Sequence, residues 1–116
     1  MGCVFCEIIA GRGSAEILEA STTGLIFRPL NPVTPGHVLV VPHRHVEDAA
    51  TNPRVTADTF RLAAHYVANH VEQFNLITSA GPAATQTVYH LHVHVVPRTE
   101  GDGLPLPWTP QQEGRR

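Results

Sequence analysis

The sequence predicts an α+β fold: a mostly antiparallel sheet of about five strands, one long helix and a short N-terminal helix. Short runs of β-branched and apolar residues lie on both sides of one segment with a 3.6-residue apolar period. Turn residues separate these runs at close intervals. Strands that precede and follow a single helix, instead of alternating with helices, favour an antiparallel sheet over a parallel one. At 116 residues the chain fits one domain with one modest core, residues 1–116, carrying an irregular C-terminal tail from about residue 99.

Each element has its own signal. Cys3–Ala10 reads as a short helix stopped by Gly11. Ala15–Ala20 and Gly24–Leu30 read as two strands around the turn Ser21-Thr22-Thr23-Gly24. Asn31-Pro32-Val33-Thr34-Pro35-Gly36 must be a loop, because two prolines and a glycine oppose both helix and central strand. His37–Val41 is a continuous apolar run suited to a buried strand and ends at Pro42. The long helix is expected over Val55–Phe74, with Asn52 as cap and Pro53 in the first turn. A strand near Leu76–Ser79, a loop Ala80–Thr85 and a last strand Thr87–Val96 follow. Pro105, Pro107 and Pro110 make the C-terminal end an extended, poorly regular tail.

Composition narrows the function classes. The chain is 42% hydrophobic and 16% charged, as folded soluble proteins are. No apolar run approaches the roughly 18 residues of a membrane span. The N-terminus lacks a basic segment followed by an apolar core, so it does not read as a secretory signal. It begins Met-Gly, but Cys6 stands where a myristoylation signal wants Ser or Thr. The expected location is the cytoplasm, with no membrane partner. All eight basic residues are arginines scattered from Arg12 to Arg116, so no cluster tracks a nucleic-acid backbone and no nucleic-acid partner is expected.

Histidine is the unusual count: eight, equal to the arginines, with three inside five residues at His90, His92 and His94. On a strand, residues two apart share a face. The three imidazoles are therefore expected to project together, spaced by roughly 6.5–7 Å along the strand. Leu91, Val93 and Val95 would face the core. Imidazole can act as nucleophile, general acid or base, or metal ligand. His-x-His on a strand can also supply two zinc ligands. The pair Cys3-x-x-Cys6 is by itself half a zinc site, a redox pair or two free thiols, and the extreme N-terminus lacks the βαβ context of a thioredoxin-like site. His43, His65 and His70 have no assigned role, and the last two read as surface residues of the helix.

The run Gln86-Thr87-Val88-Tyr89-His90-Leu91-His92-Val93-His94-Val95-Val96-Pro97-Arg98 resembles the signature of the histidine triad (HIT) hydrolases and transferases. Cys3-Val4-Phe5-Cys6-Glu7-Ile8-Ile9-Ala10-Gly11 is similar to that family's N-terminal segment, and Asn31 through His45 to its second hallmark. The resemblance spans nearly the whole chain and implies a HIT-like sheet. It also implies that His92 attacks the α-phosphorus of a nucleotide to form a nucleotidyl-histidine intermediate, later released to water or another acceptor. His94 would contact the phosphate and the leaving-group side, and His37 would help order the catalytic group. Ser79, Gly81, Gln86 and Thr87 would lie beside the phosphate, and Phe5, Ile8, Phe27 and Leu30 would line an apolar nucleoside pocket. The resemblance further implies a zinc ion held by Cys3, Cys6, His45 and His90, a closed tetrahedral set of structural type. A homodimer joined sheet edge to sheet edge is implied too, with Trp108 reaching the partner's substrate pocket.

Three positions depart from the family pattern. Pro29 stands where many members carry an acidic residue for the ribose, Ser79 where Asn is common, and Thr85 where Gly precedes the Gln. The leading expectation is a nucleotidyl hydrolase or transferase acting on a phosphoramidate or phosphoanhydride. Two other readings remain: a non-catalytic nucleotide sensor, and a metal-dependent hydrolase using His90, His92 and His94 as ligands.

Overall fold

The computed structural model describes residues 2–113. Helix α1 spans Val4–Ile9, shorter than the Cys3–Ala10 expected, because Cys3 is its cap: the Cys3 sulfur accepts the Cys6 N–H at 3.2 Å. The helix closes when the Gly11 N–H returns to the Ile8 carbonyl and the Arg12 and Gly13 N–H groups return to that of Glu7. Five strands form one sheet in the order β1-β2-β3-β5-β4, with every neighbouring pair antiparallel. They are β1 (Ile17–Ala20), β2 (Gly24–Phe27), β3 (Val38–Pro42), β4 (Phe74–Ile77) and β5 (Val93–Pro97). The hairpin β1–β2 turns on Ser21, whose hydroxyl oxygen accepts the Thr23 and Gly24 N–H groups.

Strand β2 stops at Phe27, three residues before the expected end. The Arg28 N–H still reaches the Glu16 carbonyl, but Pro29 has no N–H with which to extend the ladder. Gly24 opens the strand at a point of close approach, where an added Cβ would fall 1.9 Å from the Val41 carbonyl oxygen.

Helix α2 covers Pro53–His70. The Asn52 side chain caps it, accepting from the N–H groups of Arg54 at 3.1 Å and Val55 at 3.3 Å. The helix ends four residues before the expected Phe74, because Val71 is extended and residues 74–77 pair with β5, Phe74 standing opposite Pro97. Ladder pairing outweighs the helical period there.

The sheet has two dissimilar faces, set by the period of two along each strand. Ile26, Val38, Val40, Val93 and Val95 face α2 and pack on its Ala63 and Val67. Val55, Thr59, Ala63 and Val67, four residues apart, are the buried stripe of that helix. Each fully buried aliphatic side chain here contributes roughly 1.5–3 kcal/mol. Leu25, Phe27, Leu39 and Val41 face the other way, where α1 covers them with Phe5 and Ile8. Helix α1 covers only the β2–β3 half, so the β5–β4 half of that face is free to carry a site.

The tail is better ordered than expected. Gly101 and Gly103, both in the left-handed region (φ +73° and +77°), flank Asp102 and let its carboxylate turn back onto Arg98 in a two-pronged pair at 2.8 and 2.9 Å. The same carboxylate accepts the N–H groups of Thr99 and Leu104. A short helix, α3 (Thr109–Glu113), follows Trp108. Among the described residues no helix is long and apolar enough to cross a membrane.

Candidate active site and metal centre

The three alternating histidines do not share a strand. Residues 87–92, expected to open the last strand, run as irregular chain, and only His94 lies on β5. Competing bonds explain the difference. The buried Gln86 donates through Nε2 to the carbonyls of Glu47 (2.7 Å) and Val88 (3.1 Å), while its Oε1 accepts the Gly81 N–H at 2.8 Å. The Leu91 N–H goes to the Val46 carbonyl, and Leu91 packs with Val46 and Val55 in a cluster of its own. The segment is thus pinned by side chains and loops, and each histidine meets a different environment.

His90 is fully buried. Its Nε2 donates to the Pro42 carbonyl at 2.9 Å, so its Nδ1 carries a lone pair. That Nδ1 lies 3.5 Å from the sulfurs of both Cys3 and Cys6 and 3.1 Å from His45 Nδ1, while Cys6 Sγ lies 3.2 Å from His45 Nδ1. All four ligand atoms fall within 4.8 Å of one another. A tetrahedral zinc with ordinary N and S bond lengths has ligand–ligand edges of roughly 3.3–3.8 Å, so Cys3, Cys6, His45 and His90 fit such an ion. The Pro42 carbonyl supplies the outer contact that orients a ligating histidine. Burial first, then the Cys3 side chain, pushes the Cys6 thiol above its ordinary value.

His92 and His94 form the other half of the site. His92 Nδ1 donates to the His90 carbonyl at 2.8 Å, leaving Nε2 with its lone pair exposed to a reactant. His37 Nδ1 accepts the Val33 N–H at 3.1 Å, so its Nε2–H donates to His94 Nδ1 at 3.0 Å. His94 is left with an Nε2–H pointing outward as a donor. The two imidazoles stand 5.1 Å apart, and Phe5 meets the face of His92 edge-on at 5.0 Å. Burial holds His92 below its ordinary value, opposed by its bond to the His90 carbonyl. His94 is pushed down to about 4, by burial first and then by His92 and His37, and burial lowers His37 as well. Burial thus disfavours the charged form of both rings.

The remaining residues named from the sequence fall in several places. Phe5, Ile8 and Phe27 are buried together as an apolar wall beside His92, with Phe5 and Phe27 edge to face at 5.5 Å. Leu30 is not part of that wall: it is 93% exposed beyond the end of β2. Ser79 is half-buried beside His37 and His94. Gly81 and Gln86 hold each other, and the Gln86 amide is saturated by backbone groups. Thr87 is exposed and borders a cavity of about 420 Å³ shared with Cys3 and His45, on the metal side. Trp108 is half-exposed on the tail.

Several functional contacts had no sequence signal. Thr78 donates its hydroxyl to the His92 carbonyl at 2.8 Å, although the segment reads only as a strand end. The Val33 N–H that fixes the His37 tautomer belongs to the backbone and is invisible in side-chain patterns. Thr85 adopts φ +67°, the left-handed conformation that glycine takes without strain. The Arg98–Asp102 pair anchors the tail over the β5–β4 half of the face. Arg98 also donates to Asn75 Oδ1 (2.7 Å) and the Leu104 carbonyl (2.7 Å). Beneath that strap lies a cavity of about 350 Å³, with His37 and His94 on one side and Ile77, Val96, Leu104 and Leu106 on the others.

The whole arrangement has relatives. The HIT domain profile matches residues 14–101. An uncharacterised HIT-like protein of Mycobacterium tuberculosis is 36% identical over 110 residues, covering 90% of this chain and 76% of that protein. An adenylylsulfatase of Arabidopsis thaliana is 31% identical over 108 residues, covering 88% of this chain and 55% of that longer protein. The crystal structure of a zinc-bound histidine triad family protein from Mycobacterium smegmatis superposes with a TM-score of 0.80 at 34% identity, covering 99% of this chain and 89% of that one. The family match over most of the chain and these similarities show that this chain belongs to the histidine triad (HIT) family.

Proposed function

We propose that the protein is a nucleotidyl hydrolase or transferase that cleaves a nucleoside phosphoramidate or phosphoanhydride through a nucleotidyl-histidine intermediate. The observation that carries this reading is the fixed tautomer of His92: Nδ1–H is bound by the His90 carbonyl, and Nε2 is bare beside the His94 donor. His92 Nε2 attacks the α-phosphorus, and the bond from phosphorus to the leaving nitrogen or oxygen breaks. The departing atom takes a proton from solvent. The imidazolium adduct keeps its Nδ1–H on the His90 carbonyl, which stabilises the new positive charge. Water then displaces the nucleotide from Nε2 and gives back one proton, restoring neutral His92. His94 Nε2–H, with Ser79 in the same cavity lining, serves the phosphate oxygens, whereas Gly81, whose N–H is held by Gln86, and Thr87, on the metal side, fall outside that role. Gln86 acts by holding the loop that carries them. Phe5, Ile8 and Phe27 form the nucleoside wall, and the exposed Leu30 stands outside it.

Zinc at Cys3, Cys6, His45 and His90 is the structural cofactor of this reading. It would tie the N-terminus to the segment whose carbonyl orients His92. In this reading the protein acts as one domain in the cytoplasm, with no nucleic-acid or membrane partner; the scattered arginines support the lack of a nucleic-acid partner. It pairs as a homodimer: the outer edge of β4 has no strand partner among the described residues, and the half-exposed Trp108 is available to a second copy.

Rapid-quench incubation with adenosine 5′-phosphoramidate and with a dinucleoside polyphosphate, followed by intact-mass analysis, tests the reading. A nucleotidyl adduct localised to His92 is expected with at least one of them. Binding without turnover would favour the nucleotide-sensor alternative, which the Pro29, Ser79 and Thr85 departures suggest. Turnover unaffected by His92→Ala would overturn the mechanism.

A further inference from the structure

Two of the four side chains gathered for a metal end in sulfurs that can also bond to each other. Cys3 and Cys6 are free, neither is fully buried, and their sulfurs lie within 4.8 Å of one another. Cys3 caps α1 and Cys6 sits in its first turn, with the Cys6 N–H held on the Cys3 sulfur at 3.2 Å. That bond folds the Cys3 side chain over the turn that carries Cys6. A disulfide needs the sulfurs at roughly 2.05 Å, so a closure of at most about 3 Å is required, within reach of side-chain rotation across one turn.

The two sulfurs are not equally reachable. Cys3 borders the cavity of about 420 Å³, together with His45, Glu47, Thr87 and Tyr89, all four of them exposed. Cys6 is not in the described lining of that cavity, and His90 is fully buried. The ligand set therefore has an open side at Cys3 and His45 and a sealed side at His90. A cavity of this size admits a small molecule. A cysteine that ligates a metal is held as its thiolate, the form that attacks a disulfide.

We propose that Cys3 and Cys6 are a redox-reactive pair, modified by low-molecular-weight disulfides, with Cys3 attacking and Cys6 resolving, and that the modification empties the metal site. The inference rests on the metal reading above. The Cys3 thiolate bonds to one sulfur of the incoming disulfide, whose S–S bond breaks. The other sulfur leaves as a thiolate and takes a proton from solvent. The Cys6 thiolate then attacks the Cys3 sulfur of this mixed disulfide and expels the second small thiol, which is protonated in the same way. Two electrons pass from the cysteine sulfurs to the reagent, and one disulfide is consumed for two thiols released. His45 and His90 alone are too few ligands for a closed tetrahedral site.

Treating zinc-loaded protein with bis(2-hydroxyethyl) disulfide tests the proposal. Metal analysis after desalting should show loss of about one zinc per chain. Intact mass should fall by about two hydrogens in step with that loss, and excess thiol with zinc should reverse both changes. Wild-type protein quenched early with acid and mapped by tandem mass spectrometry should carry the mixed disulfide on Cys3. Cys6→Ser should stop at that adduct, formed at least about tenfold faster than any adduct on Cys6 in Cys3→Ser. No disulfide in the wild type, an adduct that appears first on Cys6, or a Cys3–Cys6 bond formed with zinc retained would overturn the proposal. Protein that carries no zinc after metal-replete preparation would refute the metal reading, and the order of attack is then judged by mass on that same sample.

Discussion

The Thr78 hydroxyl donates to the carbonyl of His92 at 2.8 Å, tying the end of β4 to the residue that carries the bare Nε2. His92 in turn is oriented through its ring nitrogen by the His90 carbonyl, so two hydrogen bonds fix both the backbone and the ring. Thr78 is a positioning residue, since it touches no reacting atom. Thr78→Val should lower kcat by about 5- to 30-fold, the loss of one hydrogen bond of about 1–2 kcal/mol, with KM nearly unchanged. Thr78→Ser should restore most of the rate. A parallel rise in KM, or no rescue by serine, would show a general packing defect instead.

His92→Ala should remove at least about 10³-fold in turnover and abolish the covalent adduct. His94→Gln should cost less, about 10- to 100-fold, because the adduct can still form without the second donor. Single-turnover kinetics with mass detection separates the two: adduct without rapid release is expected for His94→Gln, and none for His92→Ala.

Metal analysis of protein prepared under reducing, zinc-replete conditions should find about one zinc per chain. Chelation should lower Tm by on the order of 10 °C, since an ion that binds only the folded state stabilises by mass action. Cys6→Ser should remove most of that zinc-dependent shift. If chelation abolished turnover while leaving Tm untouched, the ion would be catalytic and the closed four-ligand set would be refuted.

Stability should fall on acidification, and the sign follows from the histidines. His94 is pushed down to about 4, and burial lowers His37, His90 and His92 too. Below about pH 6.5 the unfolded chain binds protons that the folded chain refuses, so stability rises with pH through this window and flattens above it. Thermal melts should show a lower Tm at pH 5 than at pH 7.5, and the difference should shrink in His94→Gln. A flat profile from pH 5 to 7.5 would contradict the burial of the cluster.

Thr85 holds φ +67°, a conformation costly for a β-branched residue. Thr85→Gly should raise stability by about 0.5–1 kcal/mol, or a few degrees in Tm, after allowing for the entropy glycine adds to the unfolded chain. A lower Tm would mean that the threonine's contacts outweigh its backbone strain.

Much of the fold was legible because apolar periodicity and breakers are local signals. The helix cap at Asn52, the buried strand His37–Val41 and the antiparallel arrangement all follow from them. The extent of the last strand was not legible. Alternation at His90, His92 and His94 looks like a strand, yet Gln86, Leu91 and Pro42 bind that segment from distant positions, and only β5 proper joins the sheet. The helix end failed for a related reason, because Phe74 satisfies the helical period but pairs with Pro97. In the site, the family resemblance nominated Cys3, Cys6, His45 and His90 together, and the structure gathers them. Thr78, the Val33 N–H and the Arg98 strap lay outside any pattern, because backbone acceptors and tail anchoring leave no spacing rule.

The three alternating histidines carry one further consequence. Composition, net charge and hydropathy would not register an exchange of positions among them, yet the neighbouring carbonyls assign each ring a separate task. Pro42 turns one nitrogen of His90 outward to the cysteines, the His90 carbonyl turns one nitrogen of His92 outward to a reactant, and His37 makes His94 a donor. Shifting the register by one residue, with a single insertion between His90 and His92, would keep every imidazole and scramble all three assignments.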